Sequence, residues 1–181
     1  GNLELENFQE SVNYFEAGLD FIIDNVELEE QFYISLADAY HRMEEHAKSD
    51  GYFDKALELL PNSPTILNNY AYYLSERGVR LDYALEMTEK CNRLAPNNAV
   101  FLDTWAWVLY KKGSYKEALE KIEACAQLGG ADSGEVLEHW GDILFKLGKT
   151  QEAVLKWKEA AAKGDASANI QSKIDNQKLY E

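Results

Sequence analysis

The residues of this chain that could do chemistry are three histidines, two cysteines and an excess of carboxylates. The stretch His41-Arg42-Met43-Glu44-Glu45-His46 comes nearest to a catalytic motif, because it almost imitates the helix of a zinc protease. Two metal-binding histidines on one helix face need the i, i+4 spacing of HExxH. Here they stand five apart, which on a helix of 3.6 residues per turn sets them roughly 140° from each other. The spacing therefore predicts no shared metal. His139 lies beside Trp140 and has no ligand partner at helical spacing. Cys91 and Cys125 form no CxxC and are too few for a disulfide scaffold. With 32 Asp and Glu among 181 residues, neighbouring carboxylates arise from composition alone, so no pair stands out as acid and base. No GxSxG, P-loop or GxGxxG lies between a strand and a helix. The chain is read as non-enzymatic, with no cofactor and no metal, and a catalytic domain outside this sequence stays open.

Charge narrows the partners. Eighteen Lys and Arg against 32 acids leave a net charge of −14, which repels phosphate backbones and anionic lipid alike. Nucleic acid is excluded as a partner on that ground. Residues 1 to 41 carry ten carboxylates and no Lys or Arg, the first base being Arg42. That run reads either as a solvated helix face or as a patch that steers a basic partner. The longest uncharged run, residues 59–75, contains Pro61, Pro64 and three Asn, which disqualifies it as a membrane span. No direct membrane insertion is expected in this segment. The sequence opens in acidic residues at once, so any targeting segment is expected upstream.

The elements that would position these residues follow from an internal period. Tyr70, Trp105 and Trp140 step by 35 and 35, as do Gly78, Gly113 and Gly148. Ala84, Ala118 and Ala153 step by 34 and 35, and Cys91, Cys125 and Ala160 do the same. Within one unit, Leu102, Trp105, Ala106 and Leu109 make an i, i+3, i+4, i+7 stripe, and Tyr115, Ala118, Leu119, Ile122 and Cys125 make a second. Each unit is thus a helix pair whose turn is closed by glycine. Neither helix can bury its stripe alone, so neighbouring units must stack into an all-α array. Cys91 and Cys125 share one repeat position. Stacked helices lie on the order of 10 Å apart, beyond the ~7 Å Cα limit of a disulfide, so both are expected to be free packing thiols.

These residues resemble the tetratricopeptide repeat (TPR), a 34-residue helix–turn–helix with the pattern W-x2-L-G-x2-Y, Ala, an aromatic, Ala and Pro. Leu67, Leu102 and Leu137 take the position of its Trp, Tyr70, Trp105 and Trp140 that of its Leu, and Ala71, Ala106 and Gly141 the small one. The resemblance implies a single solenoid over residues 1–181, a right-handed alpha-alpha superhelix of stacked antiparallel helix pairs. Residues 7–22 would be a lone second helix of a partial repeat, which suggests that the sequence starts inside a longer array. Residues 30–63 form a degenerate repeat in which Glu44 stands where glycine is usual. Full units follow at 64–98, 99–133 and 134–165, and 166–181 would be a polar C-terminal capping helix with Ile170 and Ile174 on one side.

Such a superhelix implies a concave groove lined by positions 2, 5, 9, 12 and 13 of each first helix. Carried across, these positions give Asp38, His41, Asn68, Tyr72, Asp103, Trp107, Tyr110, Glu138, Asp142 and Phe145 as the partner-binding set. The aromatics either pack against neighbouring first helices or anchor a partner. Positions that clamp an acidic C-terminus in some family members hold no Lys or Arg here, so that partner class is not expected. The implied function is protein–protein interaction, with a peptide or partner helix bearing basic and apolar residues held in the groove. The alternative is an architectural segment of an envelope or secretion assembly, contacting partners by its convex face or ends. The runs from Asn68 to Ser75 and from Asp103 to Tyr110 also resemble TPR proteins of Gram-negative cell envelopes. That implies a periplasmic or lipid-anchored location, with the cytoplasm as the alternative.

Overall fold

A computed structural model describes residues 2–180 of the chain, with side chains from residue 7 onward. Gly1 and Glu181 lie outside the described residues, among which there is no β-strand. Helix α1 spans Asn2–Leu19 and packs on α2, Val26–Arg42. Four antiparallel pairs then follow one another: α2 with α3 (His46–Leu59), α4 (Pro64–Glu76) with α5 (Leu81–Leu94), α6 (Ala99–Lys111) with α7 (Tyr115–Gln127), and α8 (Gly134–Lys146) with α9 (Thr150–Lys163). Helix α10, Ile170–Asn176, closes the array against α9. It is shorter than the 166–181 cap expected from sequence, because residues 164–169 run as bends and turns before it.

Local signals set the helix boundaries. The Ser63 hydroxyl accepts from the Ile66 amide and Pro64 opens α4, while Asn98 accepts from Val100 and Phe101 at the start of α6. Gly78, Gly113 and Gly148 close their pairs at φ +66°, +82° and +78°. Glu44 does the same work at φ +61° in the degenerate unit, although it carries a Cβ.

The repeat ladders of small residues are where helices touch. Ala71, Ala106, Ala84, Ala118 and Ala153 are fully buried. A Cβ on Gly141 would lie 2.4 Å from Trp157 Cδ1 and Nε1, so glycine is what lets α8 approach α9 this closely. Helix α6 is enclosed on more than its one predicted stripe. Thr104, Trp107, Val108 and Tyr110 are buried along with Ala106 and Leu109, because α6 has α4 on one side and α8 on the other. Phe53 stacks on Tyr70 at 4.9 Å in the adjoining core. Such fully buried large side chains contribute about 1.5–3 kcal/mol each. Cys91 and Cys125 are buried and free. Burial pushes their thiols up, to about 11 and about 12.

Candidate binding groove

The first helices α4, α6 and α8 present successive turns to one concave face, and their polar side chains meet there. Trp107 of α6 stacks with two rings, Tyr110 at 4.6 Å and His139 of α8 at 4.0 Å. Its indole N–H donates to Glu76 Oε1 of α4 at 2.6 Å, and Lys111 Nζ sits 4.8 Å over the ring. Trp107 and Tyr110 are only 8% and 5% exposed. They form the floor of the groove, where the sequence reading allowed them to be protruding anchors.

His139 faces Asp103 across the helix pair, with Nδ1 2.9 Å from Oδ1. Burial alone would lower the imidazole, but the Asp103 carboxylate outweighs it, aided by Glu135 and Asp142, and the ring is pushed up to about 9. At neutral pH it is therefore an imidazolium stacked on an indole. Tyr72 of α4 reaches past α6 to donate its hydroxyl to Glu135 Oε1 of α8 at 3.0 Å. Both residues line a cavity of about 440 Å³ with Glu76, Trp107 and His139, among others. The same two residues also line a second cavity of about 260 Å³, together with Asn68, Val100 and Asp103, among others.

The last level of the groove is filled by the chain itself. Glu138 and Asp142, expected to line the groove as partner-binding residues, are each only 5% exposed. Lys173 Nζ of α10 sits 2.7 Å from Glu138 Oε1 and 2.7 Å from Asp142 Oδ2. The Ser167 amide and hydroxyl donate to Glu138 at 2.7 and 2.6 Å, and Trp157 Nε1 donates to Asp142 at 2.8 Å. For Glu138, burial raises the carboxyl, but Lys173 and Ser167 prevail and hold it below its usual value. For Asp142, burial prevails over Lys173 and Trp157, and the carboxyl is raised. Asp165 meanwhile accepts from the Gly134 amide at 2.8 Å, capping α8.

The remaining predicted residues are placed as follows. Asp38 pairs with Arg42 Nε at 2.9 Å and accepts the Tyr73 hydroxyl. Phe145 is half-buried and packs on Trp157 at 5.7 Å, in the cluster under α10. Asn68 is buried in the cleft between α4 and α6. His41 stacks on Tyr73 at 4.0 Å and lies 5.3 Å from His46. The separation of about 140° predicted for the two histidines does not apply, because α2 ends at Arg42 and His46 opens α3. The turn brings the rings together. Even so, among the described residues no group of three or more His, Cys, Asp or Glu side chains converges to hold a metal. Sequence reasoning weighed His139 only as a metal ligand and left Glu135 and Lys173 out of the groove set. The signal for Lys173 was present, as a base between Ile170 and Ile174 on the apolar side of α10.

Residues 30–63 match the tetratricopeptide repeat family. None of the curated proteins matches the chain. Three solved structures share its architecture. PilW, described as a widely conserved type IV pilus biogenesis factor, is 16% identical, with 97% of this chain and 80% of that one covered at a TM-score of 0.79. A thermophilic TPR protein of Thermus thermophilus is 14% identical, covering 97% and 92% at 0.74. PilF of Pseudomonas aeruginosa is 18% identical, covering 98% and 82% at 0.73. The described residues have the fold of a tetratricopeptide-repeat superhelix and are all-α. Among those residues no helix is long and apolar enough to cross a membrane.

Proposed function

We infer that this chain is a non-enzymatic protein-interaction module whose concave groove takes an extended or helical segment of a partner bearing basic and apolar residues. The carrying observation is the pair Glu76 and Glu135. Each lines the 440 Å³ cavity, and each holds only a neutral donor, Trp107 or Tyr72. A cation arriving between them gains two carboxylates over an aromatic floor, which supplies orientation and on-rate as well as cation–π contact. A periplasmic or lipid-anchored location, drawn from the envelope resemblance, belongs to the same proposal, supported by the likeness to PilW and PilF.

A peptide array read at low and physiological salt tests the proposal. Binders should be enriched in Lys or Arg with apolar neighbours, and should weaken as the Debye length shrinks to ~8 Å. Glu76→Gln with Glu135→Gln should abolish binding, while the second-helix pair Glu117→Gln with Glu120→Gln should not. Mainly acidic binders, or indifference to the groove pair, would refute the reading. The architectural alternative has its own observation, since Tyr14, Phe21 and Ile23 are largely exposed around the α1–α2 turn. Binding lost with Phe21→Ser and Ile23→Ser, but kept by the groove variants, would favour contact through that end.

A further inference from the structure

We propose that the 260 Å³ cleft between α4, α6 and α8 is a pocket for a guanidinium group, supplied by an arginine of the bound segment. The inference rests on the groove reading above and names the residue type that this one pocket selects.

The first observation is an unmet acceptor. Asn68 is 5% exposed, and its Oδ1 is buried with no hydrogen-bond partner, while its Nδ2 has only a long 3.4 Å contact with Asn69. A buried amide oxygen left unpaired costs free energy that a donor from a ligand would recover. Asn68 lines the cleft beside Asp103 and Glu135. Asp103 gives Oδ1 to His139 and Glu135 gives Oε1 to Tyr72. The second oxygen of each carboxylate takes no donor among the described residues. The cleft therefore offers acceptors from three helices to a group rich in donors.

The second observation is that the chain already fills an equivalent place with a cation. Asn68, Asp103 and Glu138 are spaced by 35 residues and occupy the same position of successive repeats. At Glu138 that position is taken by the ammonium of Lys173. Two repeats earlier, at Asn68, the same position faces a cleft.

The shape selects arginine over lysine. The acceptors come from three separate helices, so a planar fork of five N–H donors reaches more of them than a single point charge. At the mouth, Val100 is 64% exposed and Tyr72 presents its ring, which gives the aliphatic stem an apolar wall.

The test is an NMR titration of the full chain with N-acetyl-arginine amide, with the neutral isostere N-acetyl-citrulline amide as control. Saturable shifts are expected at the Asn68 side-chain amide, the Val100 methyls and Tyr72, with none from citrulline. Glu135→Gln changes an exposed side chain and retains an acceptor for Tyr72, so it should leave the fold intact. It should weaken arginine binding about threefold or more, as should Asn68→Ala. Equal shifts with citrulline, unsaturable shifts scattered over the acidic surface, or a Glu135→Gln protein that titrates like the parent would each overturn the pocket. If array binding survives while arginine amide gives no response, the pocket falls and the groove reading stands. Loss of both responses removes the groove reading as well.

Discussion

Replacing Lys173 by alanine probes how the last groove level is closed. Its ammonium is shared by Glu138 and Asp142 at 2.7 Å each, and all three side chains are 6–7% exposed. Removing one member of a buried ion pair costs about 3–5 kcal/mol, because the partner charge stays buried alone. That full cost applies only while residues 165–180 stay docked. The segment holds one short helix and half-buried contacts from Ile170, Ile174 and Leu179, so it has an escape: it lifts off and both carboxylates rehydrate. A loss of about 3 kcal/mol shifts the docked-to-lifted ratio roughly a hundredfold. Hydrogen exchange read by mass spectrometry should show protection in 165–180 collapsing by about that factor. The core of α4 to α7 should keep its protection, and the melting point should fall by no more than about 2–4 °C per kcal/mol lost. Lys173→Met combined with Glu138→Gln and Asp142→Asn should recover most of the protection, since no buried charge remains. If Lys173→Ala leaves both the exchange of 165–180 and the melt unchanged, the lysine does not hold the segment.

Gly141→Ala should destabilise by about 1–3 kcal/mol, since its Cβ would lie 2.4 Å from two Trp157 ring atoms and 3.1 Å from the Ala153 carbonyl oxygen; a urea midpoint equal to the parent's would refute the tight α8–α9 contact. Glu44→Gly should stabilise by up to about 1 kcal/mol by relieving a left-handed φ of +61°, and any clear loss in the same assay would contradict that. His139 has a folded-state value of about 9 against an ordinary 6.5, worth on the order of 3 kcal/mol at about 1.4 kcal/mol per unit. Because the folded value is raised, that stabilisation is full below about pH 6.5 and is lost as pH rises through about 9. Melts at pH 6.5 and 9.5 should therefore fall further apart for the parent than for His139→Gln, and equal falls would refute an imidazolium there.

The period of 34 to 35 residues made the helix pairs legible because it rests on residue size, and size is what close helix contacts select. Gly141 and the alanine ladders could be read as contact points before any coordinates. What sequence could not convey was which polar side chains the array consumes internally. Glu138 and Asp142 have the spacing of groove residues, yet their partner Lys173 lies 31 or more residues away in a segment of weak helical pattern. Periodicity carries no information about a contact made once. The His41–His46 geometry failed for a related reason. Helical spacing was applied across a turn that the repeat register itself places at Glu44, where glutamate takes the positive φ usually left to glycine.

The cations of this acidic groove show where its remaining charge resides. Arg42 answers Asp38, the His139 imidazolium answers Asp103, and Lys173 answers both Glu138 and Asp142. Each of those levels is settled within the chain. Glu76 and Glu135 differ, because the donors they hold are an indole N–H and a phenol O–H, neither of which brings charge. Lys111 and the His139 imidazolium line the same cavity, but neither forms an ion pair with these two among the described residues. A visiting cation should therefore couple to them more strongly than to Asp103, which is paired directly with His139. The order is measurable with a single arginine-bearing peptide selected from the array. At low salt, Glu135→Gln and Glu76→Gln should each slow association more than Glu117→Gln on a second helix does, and the difference should fade as salt is raised. Equal association rates for all three variants would mean that the uncompensated pair does not steer the partner.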